Sequence, residues 1–261
     1  MKALVIIMAL IFSVLPSNAW AKYASIIVDA ETGRVIHDDH ADDRNYPASL
    51  TKMMTLYLLF EAIEDGRVKI TDSFTVSKYA SSKQPSKLGL KPGNRITVQK
   101  AILALAVKSA NDVAVVVAEN LAGTEKNFAL KMTQKARQLG MLNTTFKNAS
   151  GLHNRKQKSS ARDMVKLGMA LYNNFPGFYP YFSVRQFSYD GKIYKSHNKL
   201  LTKYDGTDGI KTGYVRASGF NIVVSVERNG RRLFAVVMGG ENGKWRDKRA
   251  MILLNTAYRR N

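Results

Sequence analysis

A serine and a lysine three residues apart can act as nucleophile and base if a helix carries them. Ser49-Leu50-Thr51-Lys52 has that spacing. At the first turn of a helix, side chains at i and i+3 share a face. The serine N–H then points out of the helix N-terminus, where it can donate to a developing oxyanion. Ser196-His197-Asn198-Lys199 matches the same pattern, so spacing alone is weak. Setting separates the two. Ser49 follows Tyr46-Pro47-Ala48 and opens an amphipathic run (Met53, Leu56, Tyr57, Phe60, Ile63) that Gly66 ends. Ser196 lies in strand-like sequence, with no helix expected after it. Ser49 could also be an ordinary helix cap, because serine is a preferred N-cap residue. Two further segments argue otherwise. Ser109-Ala110-Asn111 falls in a break between helical runs, 60 residues after Ser49. Lys211-Thr212-Gly213 follows 102 residues after Ser109, just before a strand expected to start near Gly219. Each tripeptide alone is a common turn. The three in this order, at a helix start, an inter-helix loop and a strand edge, form a specific signal.

Other chemistries fit poorly. The chain has no cysteine, which excludes thiol nucleophiles, disulfide scaffolds and Cys-bound metals. None of the four histidines has the Glu-flanked i, i+4 spacing of a helical zinc site. His37 and His40, beside Asp38, Asp39 and Asp42, read as a solvated polar turn rather than a metal site. There is no Gly-x-Ser-x-Gly elbow. Gly239-Gly240-Glu241-Asn242-Gly243-Lys244-Trp245 has the wrong glycine spacing for a phosphate loop. Neither a metal nor a cofactor is expected.

The elements that must hold these residues read as follows. Residues 23–37 form a hairpin, and a helix begins after Pro47. Residues 77–95 are polar and read as loop. A helix from about Thr97 to Val107 breaks at Ser109–Asn111 and resumes with Asp112 as its N-cap. Thr124 to Leu139 is helical. Ser160-Ala161-Arg162-Asp163 opens a helix to about Tyr172. Strands then flank Asp190-Gly191, and Asn229-Gly230 is the strongest hairpin signal. A helix from about Lys244 to Tyr258 closes the chain. The order implies an α+β fold, an antiparallel sheet flanked by helices with a mostly helical lobe.

Residues 1–21 read as a secretory signal. Lys2 precedes the apolar run Ala3–Val14, and Ala19-Trp20-Ala21 supplies a small-x-small cleavage site. An uncleaved anchor is the alternative, but the run is short for about 30 Å of hydrocarbon. The mature chain, 22–261, is expected outside the cytoplasm, in the periplasm or cell-wall space, soluble or peripherally attached. The whole chain carries +20, and removal of Lys2 with the signal leaves +19. For an exported protein the expected counter-charge is an anionic envelope surface rather than nucleic acid, although a basic surface with no specific partner fits as well.

Together the three segments resemble the signatures of the penicillin-recognising serine enzymes. Tyr46–Thr55, Ser159–Met164 and Asp208–Tyr214 narrow the likeness to D-alanyl-D-alanine carboxypeptidases of the low-molecular-mass penicillin-binding proteins, over nearly all of the mature chain. The resemblance implies a β-lactamase/transpeptidase-like fold, peptidoglycan stem peptides as substrates and β-lactams as covalent inhibitors. It implies that Ser49 forms an acyl-enzyme, with neutral Lys52 as its base and Ser109 as proton relay to the leaving D-Ala. Asn111 would hydrogen-bond the substrate backbone. Lys211 and Thr212 would hold the terminal carboxylate. Gly213 would let an extended substrate lie along the strand edge. The N–H groups of Ser49 and Tyr214 would form the oxyanion hole. Arg216 would reinforce the carboxylate site, or be one surface cation among many.

Endopeptidase action on cross-links remains open. A β-lactamase of class A would add a glutamate after the middle motif, and Leu142–Asn148 has none. A non-enzymatic wall-binding protein is disfavoured because Ser49, Lys52, Ser109, Asn111 and Lys211 are all retained. Many relatives add a β-rich domain and a C-terminal amphipathic membrane helix. Here Asn261 comes soon after the closing helix, so 22–261 is expected to be the catalytic domain alone. Relatives often carry His at the position of Tyr214.

Overall fold

The computed structural model describes residues 22–259, so the expected signal lies outside the described residues. Strands β1 (Ala24–Asp29) and β2 (Val35–Asp39) form the expected N-terminal hairpin. His37 lies within β2 rather than in a solvated turn, and its Nε2 is 2.8 Å from Ser25 Oγ. A single 3₁₀ turn (Ala48–Leu50) leads into α1 (Thr51–Glu64). Strand β3 (Ser73–Thr75) and the short α2 (Lys78–Ser81) follow, then β4 (Arg95–Thr97), which pairs with β3. The segment expected to be loop over 77–95 thus opens on a helix, because the Ser77 side chain caps it by accepting from Ala80 N–H.

Helix α3 (Val98–Leu103) runs into a π turn (Ala104–Lys108). Helices α4 (Asn111–Ala122) and α5 (Glu125–Gln138) complete the helical lobe, and α6 (Ala161–Asn174) returns to the sheet. Ser160 caps α6, as its sequence pattern predicts. Asp112 does not cap α4. It lies inside the helix, where its carboxylate accepts the N–H groups of Leu88, Gly89, Leu90 and Val113.

Strands β5 (Gln186–Tyr189) and β6 (Lys192–Lys195) pair across Asp190-Gly191. Contrary to expectation, a short helix, α7 (Leu200–Lys203), does follow Ser196. Strands β7 (Thr207–Val215), β8 (Gly219–Arg228) and β9 (Arg231–Gly240) then join the main sheet, and α8 (Gly243–Arg259) closes the chain. Lys211–Gly213 lies inside β7, a strand the sequence reading does not assign, and ahead of β8, which starts at Gly219 as the pattern predicts. Asn229 (φ 52°) and Gly230 (φ 76°) have the two positive φ values of a type I′ turn between β8 and β9.

The five-stranded sheet has the order β2-β1-β9-β8-β7, with every neighbouring pair antiparallel. β7 is therefore an edge strand. Alternation assigns its two faces. Ile222, Val224 and Val226 pack with Leu233, Ala235 and Val237 against Ala250, Leu253 and Leu254 of α8. Val223, Phe234 and Val236 join the larger core with α1 and α6. The α1 sequence reads as amphipathic, yet every residue from Thr51 to Phe60 is buried. A helix enclosed on all sides by other elements buries its polar positions too, Lys52 among them.

Candidate active site

Ser49 sits in the 3₁₀ turn ahead of α1, and the structure keeps that turn close to two other backbones. A Cβ on Gly151 would lie 1.9 Å from the Ala48 carbonyl oxygen. A Cβ on Gly213 would lie 2.9 Å from Ser49 N and 3.1 Å from Leu50 N. Gly213 is thus needed for β7 to pass over the nucleophile turn, a tighter demand than room for substrate along the strand.

Lys52, one helical turn on, has its Nζ 3.1 Å from Ser49 Oγ, 2.7 Å from Asn111 Oδ1 and 2.5 Å from the Ser150 carbonyl oxygen. The amine is completely buried. Burial, and after it the charge of Lys211, holds it well below the usual lysine range, while Asp112 and Glu125 oppose the shift more weakly. A neutral amine has two N–H bonds and one lone pair. Asn111 and Ser150 accept the N–H bonds, which leaves the lone pair for the Ser49 hydroxyl.

Asn111 is itself fixed. Its Nδ2 donates to the Gln84 carbonyl at 2.8 Å and its backbone N–H to the Ser86 carbonyl at 2.7 Å. With Oδ1 on Lys52, only one amide hydrogen is left for a substrate, so Asn111 chiefly positions the base. Ser109 takes the left-handed conformation (φ 60°) that ends the π turn. Its Oγ is buried, with no hydrogen-bond partner among the described residues. A buried hydroxyl without a partner carries a desolvation cost that a bound group can relieve.

Lys211 is also buried, and its Nζ donates to the Thr212 carbonyl at 3.0 Å. Burial, then the nearby charge of Arg246, pushes it down to about 7. Thr212 is nearly buried beside it. Tyr214 is 53% exposed, its ring 4.3 Å from that of Phe220. Arg216 is exposed just past the end of β7, where it and Tyr214 line a cavity of about 1250 Å³.

Sequence reading missed several participants. Ser150, Gln84 and Ser86 act through backbone carbonyls, which leave no mark in a sequence. Glu125 holds the 148–151 turn by accepting Ala149 N–H at 3.0 Å. Thr55 Oγ1 donates to the Ala149 carbonyl at 2.7 Å. The discounted Ser196–Lys199 segment also comes near the site. Although His197 presents an exposed surface, partial burial of its ring and the charges of Lys211, Lys108 and Lys52 push it down to about 4.

Comparison with known proteins agrees with this geometry. The family described as D-alanyl-D-alanine carboxypeptidase (peptidase family S11) matches residues 13–242. The chain is 36% identical over 241 residues to the D-alanyl-D-alanine carboxypeptidase DacA of Escherichia coli strain K12, covering 90% of this chain and 60% of that protein. It is 34% identical over 241 residues to DacF of Bacillus subtilis, covering 90% of this chain and 61% of that protein. The chain therefore spans about three fifths of the length of these relatives. Penicillin-binding protein 5 of Haemophilus influenzae superposes with a TM-score of 0.88 at 32% identity, covering 94% of this chain and 73% of that one. Penicillin-binding protein D2 of Listeria monocytogenes, in its ampicillin-bound form, superposes with a TM-score of 0.79 at 26% identity, covering 92% and 97%. On these matches the chain belongs to the D-alanyl-D-alanine carboxypeptidase family.

Proposed function

We propose that this protein is a serine D-Ala-D-Ala carboxypeptidase that trims the terminal D-Ala from peptidoglycan stem peptides. The observation that carries the reading is the fully buried Lys52 amine, held well below the usual lysine range by burial and the charge of Lys211, within hydrogen-bond reach of Ser49 Oγ. The Lys52 lone pair accepts the Ser49 proton as Oγ attacks the carbonyl carbon of the penultimate D-Ala. The oxygen of that carbonyl takes the negative charge and is held by the N–H groups of Ser49 and Tyr214. Each such donor contributes roughly 10²–10³ in rate. The tetrahedral intermediate collapses, the C–N bond breaks, and the leaving amine takes a proton through Lys52 and the Ser109 hydroxyl. Water, activated by the same amine, then hydrolyses the ester and regenerates Ser49.

Specificity for a free C-terminus follows from Lys211 and Thr212. A buried cation beside a hydroxyl at an edge strand favours a carboxylate in charge-assisted hydrogen bonds. Substrate adds antiparallel to β7, as an extra strand.

β-Lactams would acylate Ser49 and leave slowly. The carboxylate of Asp112 accepts four backbone N–H groups, and that of Glu125 is held by Ala149 N–H, Tyr79 and Lys83. Neither is free to activate a deacylating water, which favours a carboxypeptidase over a β-lactamase. The protein is read as exported, with electrostatic attachment to an anionic envelope surface through its excess of cations. Added salt should release that attachment.

The test is covalent labelling with a fluorescent penicillin, together with mass analysis of a muropeptide pentapeptide for loss of one D-Ala. Wild-type protein takes up label and Ser49→Ala takes up none. Equal labelling of the two would remove Ser49 from the mechanism.

A further inference from the structure

Glu125 opens α5, where an acidic residue ordinarily sits at the surface and complements the positive end of the helix. This one is turned inward. Its side chain is 7% exposed and has three partners, none of them in α5. Oε1 accepts from Ala149 N–H at 3.0 Å. Oε2 accepts from the Tyr79 hydroxyl at 2.8 Å and from Lys83 Nζ at 2.9 Å. The Lys83 amine also lies 3.5 Å from the centre of the Tyr79 ring. Burial works against the Lys83 charge, but Tyr79 and Glu125 outweigh it and hold that lysine above its usual range.

The two carboxylate oxygens lead to the two acceptors of the base. Ala149 is followed by Ser150, whose carbonyl accepts from Lys52 Nζ. The Ala149 carbonyl is itself taken by Thr55 of α1, so both polar groups of that residue are fixed. Gly151, next along, passes close to the Ala48 carbonyl of the nucleophile turn. On the other side, Lys83 is followed by Gln84, whose carbonyl accepts from Asn111 Nδ2 at 2.8 Å. Asn111 Oδ1 in turn accepts from Lys52 at 2.7 Å. Asp112 fixes residues 88–90, further along that second segment, whereas Glu125 reaches both segments.

We infer that Glu125 is a positioning residue for this reaction. One of its oxygens holds the turn that carries the Ser150 carbonyl, the other holds the segment that carries the Gln84 carbonyl, and together they keep Lys52 and Asn111 in register. The inference rests on the carboxypeptidase reading, in which Lys52 is the base. Without Glu125 each carbonyl moves with its own segment, and a misplacement of about 1 Å costs about 10²-fold in rate. The charged groups that bear on Lys52 are Lys211 from β7, Asp112 from α4 and Glu125 from α5. His197 stays neutral at working pH, because burial and then the neighbouring lysines push it down to about 4. Glu125 is faced by Tyr79 of α2 and by Lys83 just beyond it.

The test measures the rate constant of penicillin acylation against pH, scaled to the fraction of protein that labels at completion. Glu125→Ala frees both segments and is expected to acylate about 10²-fold more slowly at the pH plateau. Glu125→Gln keeps an oxygen for Ala149 N–H and gives up Lys83. Lys83→Met cuts the same arm from the other end. Each of these two is expected to lose about tenfold, and the double variant no more than either, because both changes break one contact. Removing the carboxylate charge also favours neutral Lys52, so the acid-side limb moves to lower pH in Glu125→Gln but not in Lys83→Met. Glu61→Gln opens the ion pair with Lys135 that joins α1 to α5 away from the base, and it should leave the rate constant unchanged. Should Glu125→Ala fail to fold, Glu125→Gln and Lys83→Met carry the test. Rate constants within about twofold of wild type in the Glu125 and Lys83 variants overturn the positioning role. So do losses that multiply in the double variant, an equal loss in Glu61→Gln, or a fall in Glu125→Gln with the acid limb unmoved, which marks a purely structural contact. Absence of labelling in wild-type protein removes the Ser49 reading itself, whereas normal wild-type labelling with unaffected variants removes the role of Glu125 alone.

Discussion

Lys52 and Lys211 are both fully buried lysines, and neither forms a salt bridge among the described residues. They differ in what surrounds the nitrogen. Lys52 has three oxygen partners: Asn111 Oδ1 and the Ser150 carbonyl accept its N–H bonds, and the Ser49 hydroxyl faces its lone pair. Lys211 has one, the carbonyl of the next residue in its own strand. The first arrangement satisfies a neutral amine completely and leaves its lone pair for a hydroxyl. The second leaves a nitrogen short of acceptors, which is the condition of a site waiting for an anion. Burial lowers both, but the charge of Lys211 acts further on Lys52. In the proposed reaction Lys52 acts without its proton and Lys211 with it. The working state is one neutral lysine and one charged lysine, set by the contrast between their surroundings.

The strongest way to break this comparison is to remove the base. Lys52→Met is expected to lower the rate of penicillin acylation by about 10⁴-fold, at the upper end of what a positioned general base supplies. It should also destabilise the fold by about 1–3 kcal/mol, because the Asn111 and Ser150 oxygens lose a buried partner. Stopped-flow labelling and denaturant unfolding read the two effects. If acylation survives, the proton goes elsewhere and Lys52 is structural.

Lys211→Met should behave differently on both counts. Loss of the cation weakens carboxylate-bearing substrates by about 10–100-fold in kcat/KM, the range of a charge-assisted hydrogen bond. Stability should rise, since a buried charge with one acceptor is replaced by an apolar side chain of similar length. The pH dependence carries the same contrast. Lys211 titrates near 7, so kcat/KM for the pentapeptide should fall as pH climbs through about 7. The acid-side limb belongs to deprotonation of Lys52. The sign for stability follows from linkage. Above about 7 the folded state has released the Lys211 proton while the unfolded chain keeps it up to the ordinary lysine value of 10.5. The unfolded state then binds more protons, and stability rises with pH across that window. Lys211→Met should abolish the basic limb and flatten its share of that rise. A basic limb that persists in the variant belongs to another group.

Much of this site was legible in the sequence because its side chains are local or typed by chemistry. Ser49 and Lys52 sit one helical turn apart, and Ser109 and Asn111 stand at a break between helical runs that could be placed from pattern. The two Ser-x-x-Lys matches show where pattern stops. Ser196 also precedes a helix, α7, so setting separated the pair less cleanly than the sequence suggests. What distinguishes them is that α1 is enclosed on all sides, and α7 has only four residues. Enclosure is a tertiary property, and the apolar run of α1 reads the same for a half-buried helix as for a central one. The Gln84, Ser86 and Ser150 carbonyls were invisible for another reason. Any residue type supplies a carbonyl, so only the fold says which ones turn inward. The clearance that Gly213 gives the nucleophile turn was invisible for the same cause, since the backbone it must clear, at Ser49, is 164 residues away.

Asp112 offers the finest test of the two-lysine contrast, because it acts on one lysine and not on the other. Its carboxylate gathers the N–H groups of Leu88, Gly89 and Leu90, so it pins the loop whose Gln84 and Ser86 carbonyls hold Asn111. Its charge also favours protonated Lys52. Asp112→Asn replaces one accepting oxygen with an NH₂ group that faces backbone donors, at a cost of about 1–3 kcal/mol in stability. With the negative charge gone, Lys52 loses its proton more readily, and the acid-side limb of kcat/KM should move to lower pH. The limb near 7 should stay, since Asp112 has no part in the shift of Lys211. Movement of both limbs together would mean that the lysines titrate as one coupled pair, and that the division of labour between them is weaker than their surroundings imply.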